Sequence, residues 1–201
     1  MKNKVGIFKS VPDFRFEGKG NIVVVTGLSG SGKSYFSTNL AKETNASIFQ
    51  PEWLIHYTHT ADEHKPFLDA FIKKHGIEEF VKNKWNNAKC EDKNQELKKY
   101  INLLVSEFLK NADPNKKYII EGLQIFTIID FELIKNYTII VKGTSSFKCL
   151  SYRLKRDYQK RKKLNFFKKT KWFFKCLHQS RLYQFKHRKL LNNFINRIKN
   201  T

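Results

Sequence analysis

Residues 27–34 hold the feature that limits most strongly how this chain can fold. They fit the pattern G-x-x-x-x-G-K-S, whose fixed positions are Gly27, Gly32, Lys33 and Ser34. Residues 21–26 before them form a short β-branched run, which is typical of a strand buried on both faces. After the loop, Phe36 and Leu40 lie four apart among polar residues, which predicts an amphipathic helix that ends near Thr44. The sequence therefore predicts a strand, a glycine-rich loop and a helix in direct succession.

This glycine-rich loop has the composition of a phosphate-binding site. Its glycines let backbone N–H groups wrap around an anion, and the N-terminus of the following helix adds partial positive charge. We expect Lys33 to reach the β and γ phosphates of ATP, and the Ser34 hydroxyl to bind Mg²⁺. The alternative is a glycine-rich turn that binds nothing. The predicted nucleotide-binding residues are Gly27, Leu28, Ser29, Gly30, Ser31, Gly32, Lys33 and Ser34.

Further strand patterns alternate with helical ones along the chain. Residues 46–49, 118–121 and 137–141 have the apolar composition of interior strands, and residues 66–110 carry apolar side chains at spacings of three and four. This alternation favours βαβ units and an α/β fold with a parallel sheet, in which ligands bind at the carboxyl ends of the strands.

The length of 201 residues fits one domain with appendages. We predict an N-terminal extension over 1–20, a main domain over 21–165, and a C-terminal extension of basic, aromatic-rich amphipathic helices over 166–201. Residues 151–201 contain 17 Lys and Arg but one acid, Asp157, so most of the net charge of +21 lies there. This charge predicts an anionic partner for the C-terminal region. Because no apolar run is long enough to span a membrane, we expect a cytoplasmic protein.

Residues 20–165 resemble the P-loop kinases of the nucleoside, shikimate, gluconate and adenylylsulfate kinase type. The resemblance rests on the loop sequence Gly-Leu-Ser-Gly-Ser-Gly-Lys-Ser between its strand and helix, which is close to that of adenylylsulfate kinase. It implies a three-layer P-loop NTPase fold and transfer of the γ-phosphate of ATP to an anionic small-molecule acceptor. The Asp-Gly-Asp of adenylylsulfate kinase is replaced by Gln50-Pro-Glu52, so that substrate is not carried over.

The same resemblance suggests roles for four further residues. Glu121 ends a strand where P-loop proteins have an acid that holds Mg²⁺ through water or positions the attacking group; alternatively it is a plain strand-end carboxylate. Glu52 stands where an acid commonly handles the acceptor hydroxyl, although a surface turn acid is as good an explanation. Arg153 and Arg156 stand where such kinases carry a lid over the phosphates, and the alternative is a solvated basic face.

The resulting prediction is an ATP-dependent phosphotransferase. Its predicted catalytic residues are Lys33, Glu121, Glu52, Arg153 and Arg156, and its predicted magnesium-binding residues are Ser34 and Glu121. One alternative is a nucleic-acid-directed kinase or binder, because the basic region interleaves cations with Phe and Trp. The same region could instead lie on an anionic membrane surface. Another alternative is a regulatory NTPase without an acceptor.

Overall fold

A five-stranded sheet is the centre of the fold. The computed structural model describes residues 11–82, 95–145, 148, 151–152, 155 and 166–201. The sheet contains strands β1 (Phe14–Phe16), β2 (Ile22–Gly27), β3 (Ser47–Phe49), β4 (Tyr118–Glu121) and β5 (Thr138–Lys142). The prediction of an α/β fold is confirmed, and the predicted parallel sheet is found for β2 to β5, whereas β1 is antiparallel.

The strand order places β2 between two parallel neighbours. The order is β1-β5-β2-β4-β3; β2 pairs in parallel with β4 and β5, and β3 pairs in parallel with β4. In this register Val25 lies opposite Glu121, and Gly27 lies opposite Lys142. The carboxyl ends of the parallel strands therefore meet at one edge of the sheet, where β2 leads into the glycine-rich loop.

Six α-helices occur among the described residues. They are α1 (Lys33–Thr44), α2 (Lys65–His75), α3 (Glu78–Lys82), α4 (Gln95–Asn111), α5 (Gln124–Thr127) and α6 (Phe166–Lys199). Short 3₁₀ turns occupy Pro51–Leu54, Tyr57–His59, Asp62–His64 and Phe131–Leu133.

Alternating residues of the central strands are buried on opposite faces of the sheet. Val24 belongs to the main core, which also contains buried residues of α2, α4 and α6. Val25 belongs to a second, smaller cluster, against which Phe36 and Leu40 of α1 pack. Both faces of the strands are thus covered, which explains why their sequences are almost continuously apolar.

The first strand, β1, is an element that the sequence analysis did not predict. It pairs antiparallel with β5, and the segment before it is fastened to the chain beyond β5. The Val11 N–H donates to the Thr144 carbonyl at 3.0 Å, Asp13 Oδ1 accepts from the Gly143 N–H at 2.7 Å, and Asp13 Oδ2 pairs with the Lys142 ammonium. We call residues 11–13 and 142–144 the N-terminal clasp.

The last part of α6 belongs to the main core. Its buried side chains recur at spacings of three and four: Leu191, Phe194, Ile195 and Ile198. The Phe194 ring meets the Phe131 ring edge-on at 5.8 Å, and the Arg197 guanidinium lies 4.8 Å from the centre of the Phe131 ring. The boundary at residue 166 stays a prediction, although the end of this helix is packed into the fold. No helix in the described part of the chain has the length and apolar character needed to cross a membrane.

Candidate phosphate-binding site

The glycine-rich loop joins β2 to α1 at the carboxyl edge of the sheet. Gly27 has a φ of 151°, and a Cβ built there would lie 2.6 Å from the Lys142 carbonyl oxygen and 2.8 Å from Ser31 Oγ. Gly32 has a φ of 82°, in the left-handed region that favours glycine, and α1 starts at the next residue. The two outer glycines of the sequence pattern are therefore required by close approach at one position and by backbone geometry at the other.

The N-terminus of α1 is available to an anion. No side chain caps this helix, and its first turn contains no acidic residue. Helix N-termini leave backbone N–H groups without intrahelical acceptors and carry partial positive charge. The start of α1 therefore offers backbone donors and partial positive charge at the place where the sequence predicts phosphate binding.

A buried carboxylate lies directly beside this helix terminus. Because β4 is the neighbour of β2, Glu121 at its end reaches α1, and the Ser34 hydroxyl donates to Glu121 Oε1 at 3.0 Å. The other carboxylate oxygen, Oε2, accepts from the side-chain amide of Gln50. Glu121 is only 3% exposed, and among the described residues no Lys, Arg or His forms an ion pair with it.

This arrangement suits a divalent cation. A buried carboxylate held by two neutral donors keeps its negative charge uncompensated, which is costly unless a cation is nearby. Magnesium prefers hard oxygen ligands and commonly takes only one or two protein ligands, with phosphate and water oxygens completing its shell. Ser34 and Glu121 are therefore chemically suited to hold Mg²⁺ next to a phosphate bound by the loop.

A cleft of about 980 Å³ opens over the glycine-rich loop. It is lined by residues 29–35 and by five residues of the N-terminal clasp: Val11, Asp13, Lys142, Gly143 and Thr144. Lys33, Lys142 and Lys148 bring three cationic side chains to its walls. The Lys142 ammonium is paired with Asp13 and also lies 4.8 Å from the centre of the Phe36 ring. The cleft is thus cationic around the loop. Part of its lining is the N-terminal clasp, which the sequence analysis did not predict.

Of the predicted catalytic residues that the structure describes, Lys33 lines this cleft, whereas Glu121 and Glu52 do not. Glu52 is half-buried on the 3₁₀ turn Pro51–Leu54, and it is not one of the described residues that line the cleft. Arg153 and Arg156 lie outside the described residues, so the lid stays a prediction.

Gln50, which contacts Glu121, was not assigned a role by the sequence analysis. A glutamine at the end of a short strand gives no pattern that distinguishes it from a surface residue. Its contact with Glu121 follows from the register of β3 against β4, in which Phe49 lies opposite Ile120.

His64, which follows this region, has a structural role. Its ring is buried, its Nε2 lies 2.7 Å from Ser47 Oγ, and it contacts the rings of Trp53 and Phe49 at 5.4 Å and 5.6 Å. Burial holds the pKa of His64 below its usual value, and the neighbouring Glu63 opposes this shift more weakly.

No protein-family model and no curated protein matches the sequence.

Proposed function

We propose that this chain is a P-loop phosphotransferase, which binds ATP with Mg²⁺ at residues 27–34 and transfers the γ-phosphate to an anionic small-molecule acceptor. The observation that carries the proposal is the contact between Ser34 Oγ and Glu121 Oε1 at 3.0 Å, directly beside an uncapped helix N-terminus. It joins a hydroxyl and a buried carboxylate, two magnesium ligands, to an anion-binding loop. A three-layer P-loop NTPase fold, with helices on both faces of a parallel sheet, belongs to the same proposal.

In this proposal the loop backbone, Lys33, Ser34 and Glu121 have distinct tasks. Backbone N–H groups of the loop and of the first turn of α1 hold phosphate oxygens, and the Lys33 ammonium offsets the charge of the β and γ phosphates. Ser34 and Glu121 position Mg²⁺, which supplies charge neutralisation on the transferring phosphoryl group. Phosphoryl transfer requires mostly positioning and electrostatic stabilisation, and a rigid loop beside a buried carboxylate is suited to both.

Three further residues are candidates for the acceptor and the transferred phosphate. Glu52 follows β3 one residue beyond Pro51, on the same sheet edge as Glu121, and it is our candidate for orienting the acceptor hydroxyl. Arg153 and Arg156 are our candidates for stabilising the transferred phosphate, because a guanidinium pairs two phosphate oxygens at once.

The first prediction tests the nucleotide site. We expect Lys33→Ala to lower the rate of ATP-dependent phosphoryl transfer by about a hundredfold or more, because it removes a charge that acts on the phosphates in the transition state. The melting temperature without nucleotide should change little, since Lys33 is only half-buried and heads a solvent-facing helix end. The measurement is transfer of label from γ-labelled ATP to a panel of metabolites and oligonucleotides.

Lys42→Ala is the matched control, because Lys42 is an exposed lysine in the last turn of the same helix. It should behave as the parent does. Equal turnover of Lys33→Ala and the parent would contradict the proposal. Labelled oligonucleotide as the sole product would favour a nucleic-acid kinase, and release of phosphate without any labelled acceptor would favour a regulatory NTPase.

A further inference from the structure

Gln50 reaches Glu121 because of strand register. It directly follows β3, which pairs in parallel with β4 so that Phe49 lies opposite Ile120. The next residues are Gln50, just after β3, and Glu121, at the end of β4. The side-chain amide Nε2 of Gln50 donates to Glu121 Oε2. Two adjacent strand ends thus bring an amide and a carboxylate together.

The backbone on both sides of this contact is fixed. Pro51 is buried and starts the turn Pro51–Leu54, in which the Trp53 N–H donates to the Gln50 carbonyl at 3.0 Å. After Glu121, the Gly122 carbonyl accepts from the Thr26 hydroxyl at 2.7 Å. These contacts fix the backbone on both sides, so the fold holds the two side chains within hydrogen-bonding reach of each other.

The chemistry of an amide suits this position. Glu121 has two oxygens, and the Ser34 hydroxyl and the Gln50 amide each take one of them, which limits rotation of the carboxylate. An amide donates without bringing charge, whereas a lysine there would neutralise the carboxylate and compete with a cation. Gln50 therefore restrains Glu121 while leaving its negative charge available.

We propose that Gln50 is a positioning residue, which orients the Glu121 carboxylate for the Mg²⁺ of bound ATP. The inference rests on the proposed function, because it assigns Gln50 a role in holding the cation of that same site. Groups that orient metal-binding side chains typically contribute 10–100-fold to metal affinity.

The second prediction tests this role with Gln50→Met, a change that keeps the length of the side chain and removes its donor. The measurement is the ATP dissociation constant with Mg²⁺ and with EDTA. We expect the gain in affinity that Mg²⁺ provides to fall by about tenfold or more. Affinity in EDTA should stay within about twofold, since the loop N–H groups and Lys33 are unchanged.

Two further proteins make the result specific. Gln95→Met is the control for the chemical change, because Gln95 is an exposed glutamine at the start of α4, and it should match the parent. In a Glu121→Gln background, Gln50→Met should cause no further loss of the Mg²⁺ effect, because Gln50 acts through Glu121. Urea unfolding without metal is then measured for the parent, Gln50→Met, Glu121→Gln and the double variant. It gives the coupling free energy of the two side chains independently of ATP.

The outcomes separate this inference from the proposed function. A Gln50→Met protein that loses stability but keeps the whole Mg²⁺ effect would overturn the positioning role, since Gln50 would then be structural only. An equal loss in the parent and Glu121→Gln backgrounds would also overturn it. A parent protein without Mg²⁺-dependent ATP binding would instead overturn the proposed function, and the role of Gln50 with it.

Discussion

His64 makes the stability of the fold depend on pH. Its buried ring has a pKa held below the usual value, so the unfolded chain takes up a proton at a higher pH than the folded one. The stability that neutral His64 contributes is therefore fully present above the unfolded pKa of about 6.5, and it is lost as the pH falls from there toward the folded pKa.

The third prediction is that His64→Phe flattens this dependence. Phenylalanine can occupy the space between Phe49 and Trp53 but cannot take up a proton. We expect urea midpoints of the variant to vary less between about pH 6.5 and pH 5 than those of the parent, even though the bond to Ser47 is lost. His59→Phe, at an exposed position, should keep the slope of the parent. A parental slope in His64→Phe would show that another group titrates.

Single residues of the site differed in how far the sequence identified them. The contact of Ser34 with Glu121 could be anticipated, because one belongs to a fixed motif and the other ends an apolar strand beside it. Gln50 could not, because its contact with Glu121 is determined by the pairing of two short strands. Local pattern contains no information on such register.

Among the elements, the N-terminal clasp depends on a glycine. A Cβ built on Gly143 would lie 2.2 Å from the Val11 carbonyl oxygen and 2.2 Å from the Pro12 carbonyl carbon, so the two segments approach as closely as backbone allows. The Asp13 carboxylate then bonds to the Gly143 N–H. The clasp lines part of the cleft, so its loss should weaken nucleotide binding.

The fourth prediction is that Gly143→Ala releases β1 from the sheet. We expect the amides of Phe14–Phe16 to lose protection in hydrogen exchange, and ATP affinity to fall with them. Gly20→Ala is the control: that residue has a φ of 88° but no atom within 4 Å of the added Cβ, so only backbone strain of about 1 kcal/mol applies. Unchanged protection of β1 in Gly143→Ala would contradict the close packing of the clasp.

Elements with both faces buried were the ones that the sequence predicted well. The strands β2 and β4 are almost continuously apolar, because helices cover the sheet on both sides. By contrast, β1 has three residues, with Arg15 exposed between two phenylalanines, and such a short alternation cannot be distinguished from a loop. It forms a strand because it pairs with the edge of β5 that β2 does not occupy.

At the scale of the whole molecule, α6 carries both buried and exposed phenylalanines. Phe194 is 5% exposed and belongs to the main core, whereas Phe174 is 64% exposed twenty positions earlier in the same helix. Where the sequence predicts basic amphipathic helices, the structure has the single helix Phe166–Lys199, which contains no acidic residue. An anionic partner for this region, nucleic acid or a membrane surface, stays a prediction.

The fifth prediction compares these two phenylalanines. Phe194→Ala should lower the free energy of unfolding by about 3–5 kcal/mol, because it leaves a cavity between α6 and Phe131. Phe174→Ala should change it by no more than about 0.5 kcal/mol, because its ring is largely in solvent already. Both values come from urea unfolding. Similar values for the two variants would mean that the end of α6 is not part of the cooperative core.

The packing of α6 also affects the order in which this protein can fold during its synthesis. Val11 and Ile22 share one hydrophobic cluster with Leu191 and Ile198, and the Lys199 ammonium lies 5.7 Å from the centre of the Phe14 ring. A ribosome that has made the glycine-rich loop and every strand of the sheet has still not delivered the side chains that complete this cluster. The nascent chain therefore carries an exposed apolar surface until α6 emerges, and a chaperone that binds such surfaces would find its substrate in that interval.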